Sequence, residues 1–509
     1  MSSKEIFLKS IEEGYTYKGE SLLMGTAMFD KTAVPNAQIK IPLKTINRHG
    51  LIAGATGTGK TKTLQNIVER LSENGISVLL MDVKGDLSGL AKPGNDHPKI
   101  QERHALIGVP WKARNYPVEL LSLSGEKGAR LRATISEFGP VLLSKILDLN
   151  DNQAGTVALV FKYCDDNKLP LLDIKDFRKA LHYLSNEGKD KITEIYGTIS
   201  TASAGVILRK IIEIEEQGAD LFFGETSFDV DDLTRIDENG NGYVNIIRLT
   251  DIQDKPKLFS TFMLCLLAEI YEKFPEVGDQ DTPEFVIFID EAHLIFDEAS
   301  KPLLSQIESI IKLIRSKGVG IFFCTQSPSD VPDSVLAQLG LKVQHALRAF
   351  TAKDRKDIKS ASENFPETEY YETDKIITEM GIGEALVTAL NEKGIPTPLV
   401  HTLLTAPSSR MDILTPTEID ELISTSKIIN KYNETIDRES AYELLKKKIE
   451  AAAIEESKKE EQKVSSGRRE KSTIEKVSSN PLVKTVFREV ARGLFGVLGL
   501  SGSSRRRRR

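Results

Sequence analysis

Short apolar runs alternate along this chain with segments whose apolar residues recur every three or four positions. The apolar runs are residues 49–53, 76–82, 285–289, 320–324, 342–347 and 385–390. Runs of this length, bounded by polar or glycine-rich turns, are typical of strands buried on both faces. Helical spacing marks residues 60–71, 256–274 and 303–314. The alternation predicts an α/β fold with a mainly parallel, doubly wound sheet.

The composition of the chain changes along its length and divides it into four parts. Short β-like stretches fill residues 1–48, and the alternating core covers residues 49–411. Within this core, apolar residues at helical spacing predict a helical insertion at about residues 125–240. Residues 412–480 are rich in Lys and Glu, which is typical of a charged helical or disordered linker. Residues 481–509 combine an apolar helical stripe with basic residues and end in a run of arginines.

This C-terminal segment has two interpretations. A basic amphipathic helix suits docking on a protein partner, an anionic membrane surface or nucleic acid. The same helix equally fits packing back on the body of the protein, with a frayed basic end. The sequence leaves both interpretations open.

Size and composition narrow the class of protein. At 509 residues the chain exceeds one hydrophobic core, and 28% charged and 40% hydrophobic residues fit a soluble globular protein. The net charge of −6 excludes a protein that coats nucleic acid with its whole surface, so any DNA contact must be local. Three separated cysteines indicate a reducing compartment. Neither a signal peptide nor an apolar run of about 18 residues is present, so we expect a cytoplasmic protein without an integral membrane segment.

The octet GATGTGKT fits the phosphate-loop pattern G-x-x-x-x-G-K-[ST] and lies between a predicted strand and a predicted helix. Glycines let backbone N–H groups surround phosphate oxygens, and the helix N-terminus adds positive potential. We expect Lys60 to reach the β- and γ-phosphates and the hydroxyl of Thr61 to hold Mg²⁺. The predicted nucleotide-binding residues are Gly54, Ala55, Thr56, Gly57, Thr58, Gly59, Lys60, Thr61 and Lys62.

A second motif, FVIFIDEAH, is a buried strand that ends in two acids, Asp290 and Glu291. Parallel strands deliver such side chains to the edge of the sheet where ligands bind. We expect Asp290 to belong to the Mg²⁺ shell and Glu291 to orient or deprotonate the attacking water. Neighbouring carboxylates repel each other unless a cation or a proton relay needs them, so the pair indicates a hydrolase and not a simple nucleotide binder.

Further polar residues follow the other predicted strands. Gln326 ends the strand beside the acidic strand and is our candidate for a sensor of the γ-phosphate. Phosphoryl transfer also needs a stabilising positive charge, usually an arginine, for which Arg315 and Arg348 are candidates, although either also fits a surface arginine. Asp82 and Asp86 frame a turn that fits contact with Mg²⁺, nucleotide or a neighbouring subunit equally with a plain surface turn.

Taken together, these motifs resemble those of the HerA–FtsK group of P-loop ring translocases, and most closely those of the bacterial HerA-like ATPases. The resemblance covers roughly residues 20–410 and rests on GLIAGATGTGKT, LLMDVKGDLSGL, FIDEAH, IRSKGVGIFFCTQSPSD, HALRAF and GEALVTALNEKGIPTP. It implies a RecA-like P-loop NTPase core, a hexameric ring, ATP with Mg²⁺ as ligands, and translocation of double-stranded DNA through the pore.

By position, the resemblance assigns the phosphate-loop pair to Lys60 and Thr61, the acidic pair to Asp290 and Glu291, the sensor to Gln326, and interface arginines to Arg315 and Arg348. One departure concerns the N-terminus. Archaeal members carry a β-barrel that docks a nuclease, whereas only about 48 residues precede the first predicted core strand here. We therefore do not expect a nuclease partner or a role in DNA-end resection.

The favoured hypothesis is Mg²⁺-dependent ATP hydrolysis that drives a ring-shaped, hexameric motor, which translocates or remodels DNA. One alternative is an ATP-dependent assembly or scaffold protein without a nucleic-acid track, which the net charge of −6 and the docking-like C-terminal helix favour. The other is a slow nucleotide-gated switch, against which Glu291 argues. Stimulation of turnover by duplex DNA distinguishes the first hypothesis from the other two.

Overall fold

The computed structural model describes residues 2–123, 125–250, 255–278, 280–296, 301–349, 351–434, 436, 438–451 and 454. The chain divides into two compact units, residues 1–445 and 446–509. The first unit holds the sheet and all predicted site residues. The predicted C-terminal helix lies outside the described residues, and so does most of that part of the predicted linker that follows residue 445.

Twelve strands within the described ranges form one sheet. They are β1 (Ser21–Phe29), β2 (Thr32–Pro42), β3 (Gly50–Ala53), β4 (Val78–Asp82), β5 (Val118–Ser122), β6 (Ala129–Arg130), β7 (Val244–Arg248), β8 (Phe285–Ile289), β9 (Val319–Thr325), β10 (Leu341–Gln344), β11 (Glu384–Thr388) and β12 (Val400–Leu404). Their order across the sheet is β2-β1-β12-β11-β10-β3-β9-β8-β4-β7-β5-β6. Neighbouring strands from β10 to β6 run parallel, whereas those from β2 to β10 pair antiparallel.

Helices occupy most connections between the strands. They are α1 (Ser3–Tyr15), α2 (Lys60–Glu73), α3 (Pro98–Ile107), α4 (Ile135–Ile146), α5 (Asp151–Asp166), α6 (Ile174–Ser185), α7 (Lys189–Tyr196), α8 (Thr201–Glu216), α9 (Ala219–Phe222), α10 (Pro256–Lys273), α11 (His293–Phe296), α12 (Lys301–Ile314), α13 (Asp333–Leu336), α14 (Ala352–Glu363), α15 (Thr373–Glu379), α16 (Pro416–Ser424) and α17 (Ile429–Asn433). The helices α4 to α9 lie between β6 and β7, within the region where a helical insertion was predicted. Within the described ranges, no helix is both long and apolar enough to cross a bilayer.

The N-terminal segment contains more than the short β stretches expected from its sequence. The helix α1 precedes β1 and begins with a capping box, in which Ser2 and Glu5 each accept a hydrogen bond from the other's backbone N–H. Its residues Phe7, Ile11 and Tyr15 are buried, because they recur every four positions on one helix face. The strand β1 then pairs with β12, so the N-terminal hairpin extends the core sheet.

The first part of the predicted linker is packed against the body of the protein. It contains α16 and α17, and Tyr432 of α17 is fully buried. The hydroxyl of Tyr432 donates to Asp232 at 2.5 Å and accepts a hydrogen bond from the backbone N–H of Asp229 at 2.9 Å. Burial of one large aromatic residue therefore fixes a stretch whose composition alone resembles a solvated linker.

The strand order brings the two predicted motifs to one edge of the sheet. The strand β9 lies between β3 and β8, and all three run parallel. Ala53 is opposite Thr325, and Ile289 is opposite Phe323. The loop after β3, Gln326 after β9 and the acids after β8 therefore leave the sheet at the same edge, where ligands bind in open α/β sheets.

Candidate nucleotide site

The loop after β3 is anchored to the end of β9 on one side and to the segment that follows β10 on the other. The backbone N–H of Gly54 donates to the carbonyl of Thr325 at 3.3 Å, and that of Ala55 donates to the carbonyl of Ala346 at 2.9 Å. Within the loop, the hydroxyl of Thr58 donates to the carbonyl of Ala55 at 2.7 Å. These hydrogen bonds hold the loop in a curve.

Lys60 begins α2 and lies inside this curve. Its side chain is largely buried, with 7% of the residue exposed, and its ammonium donates to the carbonyl of Ala55 at 3.3 Å. The preceding Gly59 has φ of 110°, which turns the chain from the loop into the helix. A buried ammonium beside the N-terminus of a fourteen-residue helix provides strong positive potential for phosphate oxygens.

The two acids after β8 are both buried, with exposures of 4% for Asp290 and 5% for Glu291. Burial, with the charge of Glu291 as the next cause, raises the pKa of Asp290 to about 6. The thiol of Cys324 donates a hydrogen bond to Asp290. The Oδ2 atom of Asp290 is buried and has no hydrogen-bond partner among the described residues. A buried carboxylate oxygen without a partner is costly unless a cation or a donor occupies the position beside it.

Cys324 connects the acidic pair to the phosphate loop. Burial raises the pKa of its thiol well above the ordinary value, and the charge of Asp290 raises it further, whereas the charge of Lys60 lowers it. Cys324 is opposite Ile52 in the sheet and thus lies between β3 and the acids after β8. The lysine and the two acids, about 230 residues apart in the sequence, therefore share the surroundings of one buried thiol.

Glu291 has further partners beyond the acidic strand. It has a positive φ of 50°, an uncommon conformation for a residue other than glycine. Its Oε1 forms an ion pair with the ammonium of Lys84, and its Oε2 lies 3.3 Å from Nδ1 of His293. Burial lowers the pKa of Lys84, but the bond to Glu291 and the charges of Asp290 and Asp86 outweigh it, so this pKa is raised.

Lys84 belongs to the turn after β4, and this turn is part of the site. Asp82 accepts hydrogen bonds from the backbone N–H groups of Gly85, Asp86 and Leu87 at 2.7, 3.1 and 3.1 Å. Burial raises the pKa of Asp82 to about 7, and the charges of Asp86 and Asp290 add to this shift. The turn therefore adjoins the acidic pair.

The remaining predicted residues lie at different edges of the sheet. Gln326 is exposed at the end of β9, between the phosphate loop and the acids. Arg348 is exposed after β10, on the same edge, and donates to the carbonyl of Thr378 at 3.0 Å. Arg315 precedes β9 and lies near His49, which precedes β3. Arg315 is thus at the opposite edge of the sheet from its own phosphate loop.

The family to which this sequence is similar agrees with this geometry. Residues 29–506 match the family model described as Helicase HerA-like C-terminal. The chain belongs to this HerA-like family. The resemblance to the HerA–FtsK group that the motifs indicated is therefore confirmed.

Two curated relatives of this HerA-like protein come from Sulfolobus acidocaldarius. It is 21% identical over 365 residues to the DNA double-strand break repair helicase HerA, covering 67% of this chain and 63% of that protein. It is 25% identical over 356 residues to the DNA import protein CedB, covering 69% of this chain and 51% of that protein. The chain thus spans less than two thirds of the length of either relative.

Among solved structures, the bacterial conjugative coupling protein TrwB has a similar fold. The unbound form of TrwB matches with a TM-score of 0.50 and 14% identity, over 80% of this chain and 95% of that chain. TrwB in complex with the non-hydrolysable ATP analogue ADPNP also has a TM-score of 0.50, with 16% identity over 78% and 99% of the two chains. The α/β, RecA-like fold class predicted from the sequence is confirmed by this likeness.

Sequence reasoning about single residues did not identify the groups that support the phosphate loop from behind. In the HerA-like core, the buried His345 contacts the hydroxyl of Thr63 through Nε2 at 2.9 Å. Burial lowers the pKa of His345 to about 4, with the charge of Lys60 as a further cause, so the ring is neutral at pH 7. The backbone N–H of Gly383 donates to the carbonyl of Thr58 at 3.1 Å. Both supports lie in segments, HALRAF and GEALVTAL, that were noted only as family motifs.

The residues of the site fit a magnesium ion. Across the part of the chain that the structure describes, no group of three or more His, Cys, Asp or Glu side chains could hold a metal ion by itself. The buried Oδ2 of Asp290 nevertheless lacks a partner there, as noted above. Mg²⁺ commonly binds through one or two protein oxygens together with substrate phosphates and water, which is the donor set that this site offers.

Proposed function

We propose that this protein binds ATP with Mg²⁺ at the phosphate loop and hydrolyses it in a hexameric ring that translocates or remodels DNA. The observation that carries the proposal is the convergence of Lys60, Asp290 and Glu291 around Cys324 at one edge of the sheet. The names of its relatives support the DNA part of the proposal, since they are a DNA repair helicase and a DNA import protein. A TrwB structure of the same fold holds an ATP analogue.

The residues of the site divide the chemistry of phosphoryl transfer among them. The N–H groups of residues 54–62 and the ammonium of Lys60 bind the phosphates. Thr61 and Asp290 would hold Mg²⁺, which would neutralise charge on the β- and γ-phosphates. Glu291 takes a proton from water as the water oxygen attacks the γ-phosphorus, and the bond to the β–γ bridging oxygen breaks to release ADP and phosphate. In this proposal Gln326 senses the γ-phosphate, and an arginine stabilises the charge of the transferring group.

The first test concerns Glu291. We expect Glu291→Gln to retain nucleotide binding and to lower kcat by about 100-fold or more, because the amide cannot accept the proton from water. Lys60→Ala should instead abolish binding of a fluorescent ATP analogue. Full ATPase activity in Glu291→Gln would exclude Glu291 as the base. A many-fold increase in wild-type turnover on addition of duplex DNA would support the DNA motor.

A scaffold or assembly ATPase without a nucleic-acid track is the second candidate. The net charge of −6 favours it, because DNA contacts must then depend on a local patch. If duplex DNA leaves turnover unchanged while removal of residues 477–509 abolishes recruitment of a protein partner, this second function is supported. For either function we propose a cytoplasmic location, since Cys164, Cys265 and Cys324 are all free and buried.

A further inference from the structure

The proposed base of the reaction is engaged by a lysine from a neighbouring strand end. The ammonium of Lys84 forms an ion pair with Oε1 of Glu291. The side chain of Glu291 is 7% exposed, whereas that of Lys84 is 42% exposed, so the lysine reaches inward from solvent to a fixed acid. Besides this ion pair and the approach of His293 Nδ1 to Oε2 at 3.3 Å, the oxygens of Glu291 have no hydrogen-bond partner among the described residues. The ion pair is therefore a main restraint on the carboxylate.

A rigid turn presents Lys84 to this acid. Asp82 fixes the turn by accepting the three backbone N–H bonds described above. Gly85 has φ of 76°, and a Cβ atom at this position would lie 2.9 Å from Cγ2 of Thr250, so the turn packs closely against Thr250. The strands β4 and β8 are parallel neighbours, with Met81 opposite Ile289. The backbone of Lys84 is therefore fixed next to the acids, and its movement is confined to the flexible side chain.

The ion pair opposes the action of Glu291 as a base. A general base needs a free carboxylate oxygen within hydrogen-bond reach of the attacking water. The ammonium of Lys84 on Oε1 occupies the position that the attacking water would need beside that oxygen. Lys84 has other acids within electrostatic range, since the charges of Asp290 and Asp86 also act on it. The lysine can thus leave Glu291 without losing all negative partners.

We propose that Lys84 is a positioning residue that restrains Glu291 and suppresses ATP hydrolysis until the lysine moves to another partner. The inference rests on the proposed function, because it assumes that Glu291 is the base. In a motor, such a restraint limits turnover in the absence of a track. Release of the restraint then couples the turn after β4 to the chemical step.

Charge removal at Lys84 tests the proposal directly. We expect Lys84→Met, which keeps much of the length without the charge, to raise kcat measured without DNA by about two- to fivefold, the range for loss of one partly exposed ion pair. KM should stay unchanged, because the phosphate loop is untouched. Lys84→Arg should retain low basal turnover. Lys92→Met serves as the matched control, since Lys92 pairs with Glu421 at 3.7 Å outside the proposed site.

The outcomes separate this inference from the proposed function. Lower or unchanged kcat in Lys84→Met, with ATP binding and thermal stability like wild type, overturns the restraint. If Lys84→Met does not fold, Lys84→Gln provides the same comparison with a polar side chain. Loss of turnover in Glu291→Gln together with unchanged kcat in the Lys84 variants rejects the restraint alone. Retained turnover in Glu291→Gln rejects the assignment of the base itself, whatever the Lys84 variants do.

Discussion

Besides the two acids that form the nucleotide site, a third buried carboxylate supports it. Glu69 of α2 is almost fully buried and accepts hydrogen bonds from the backbone N–H groups of Ser408 at 2.7 Å and Ser409 at 2.9 Å. These bonds connect the helix that begins with Lys60 to the segment after β12. Burial nevertheless outweighs the hydrogen bonds and raises the pKa of Glu69 to about 7. Ionised Glu69 therefore holds the helix and this segment together, but burial of its charge costs free energy.

This cost predicts a pH dependence of stability. The folded pKa of about 7 lies above the ordinary value of 4.5, so the folded state binds the proton more tightly than the unfolded state. Between these values the contribution of Glu69 to the free energy of unfolding should decrease as pH rises, by up to about 1.4 kcal/mol per pH unit. Urea unfolding of wild type and Glu69→Gln at pH 5, 6 and 7 measures this contribution to the free energy of unfolding. The difference in stability between the two proteins should shift with pH in that direction, and a constant difference would contradict the shift.

At the scale of secondary-structure elements, local patterns predicted the central parallel strands and the helices between them. The signals for β3, β8 and β9 were strong, because apolar runs end there in glycine or in polar residues with a chemical role. The helix α1 was missed although its capping box is visible in the sequence. Polar residues interrupt the strands β5 (VELLS) and β12 (VHTLL), so their pairing depends on tertiary contacts that no local pattern records.

The contacts within the site could not be predicted in the same way. Strand order places Cys324 beside Asp290 and Lys84 beside Glu291, and the sequence gives no direct information on the position of β4 next to β8. The motifs therefore identify which residues carry the chemistry. Only the folded sheet shows which residues lie beside these acids and act on their charge.

The phosphate loop offers a prediction at this scale. Gly54 and Gly57 both have positive φ, but a Cβ atom on Gly54 would lie 2.5 Å from Cβ of His345, whereas one on Gly57 would meet nothing within 4 Å. We expect Gly54→Ala to lose about 1–3 kcal/mol more stability than Gly57→Ala. Only the first substitution overpacks the loop against His345, which follows β10. Thermal unfolding of the ligand-free variants measures the difference, and equal losses would show that His345 does not constrain the loop.

At the scale of the whole molecule, family membership is established over most of the chain, whereas the ring and its track are proposals. The dimensions of the sheet provide a physical argument for a ring. The strand β9 has seven residues and is about 20 Å long at roughly 3.3 Å per residue, which exceeds the reach of an arginine side chain. Arg315, which precedes β9, therefore cannot act on the nucleotide bound at the other end of its own sheet. If Arg315 has a catalytic role, a neighbouring copy must receive it.

Mixed assemblies test that role of Arg315. We expect Arg315→Ala alone to lower kcat by about 1,000-fold or more, as loss of a phosphoryl-stabilising arginine does, and Glu291→Gln alone to lower it by about 100-fold or more. In a random mixture of the two variants, roughly a quarter of the interfaces join an intact Glu291 to an intact Arg315. Mixing should therefore restore turnover that neither variant has alone. Arg348→Ala is the comparison, because Arg348 shares an edge of the sheet with its own phosphate loop and need not act across an interface. If mixed Arg315→Ala and Glu291→Gln subunits assemble and bind nucleotide but stay inactive, action across the interface is excluded.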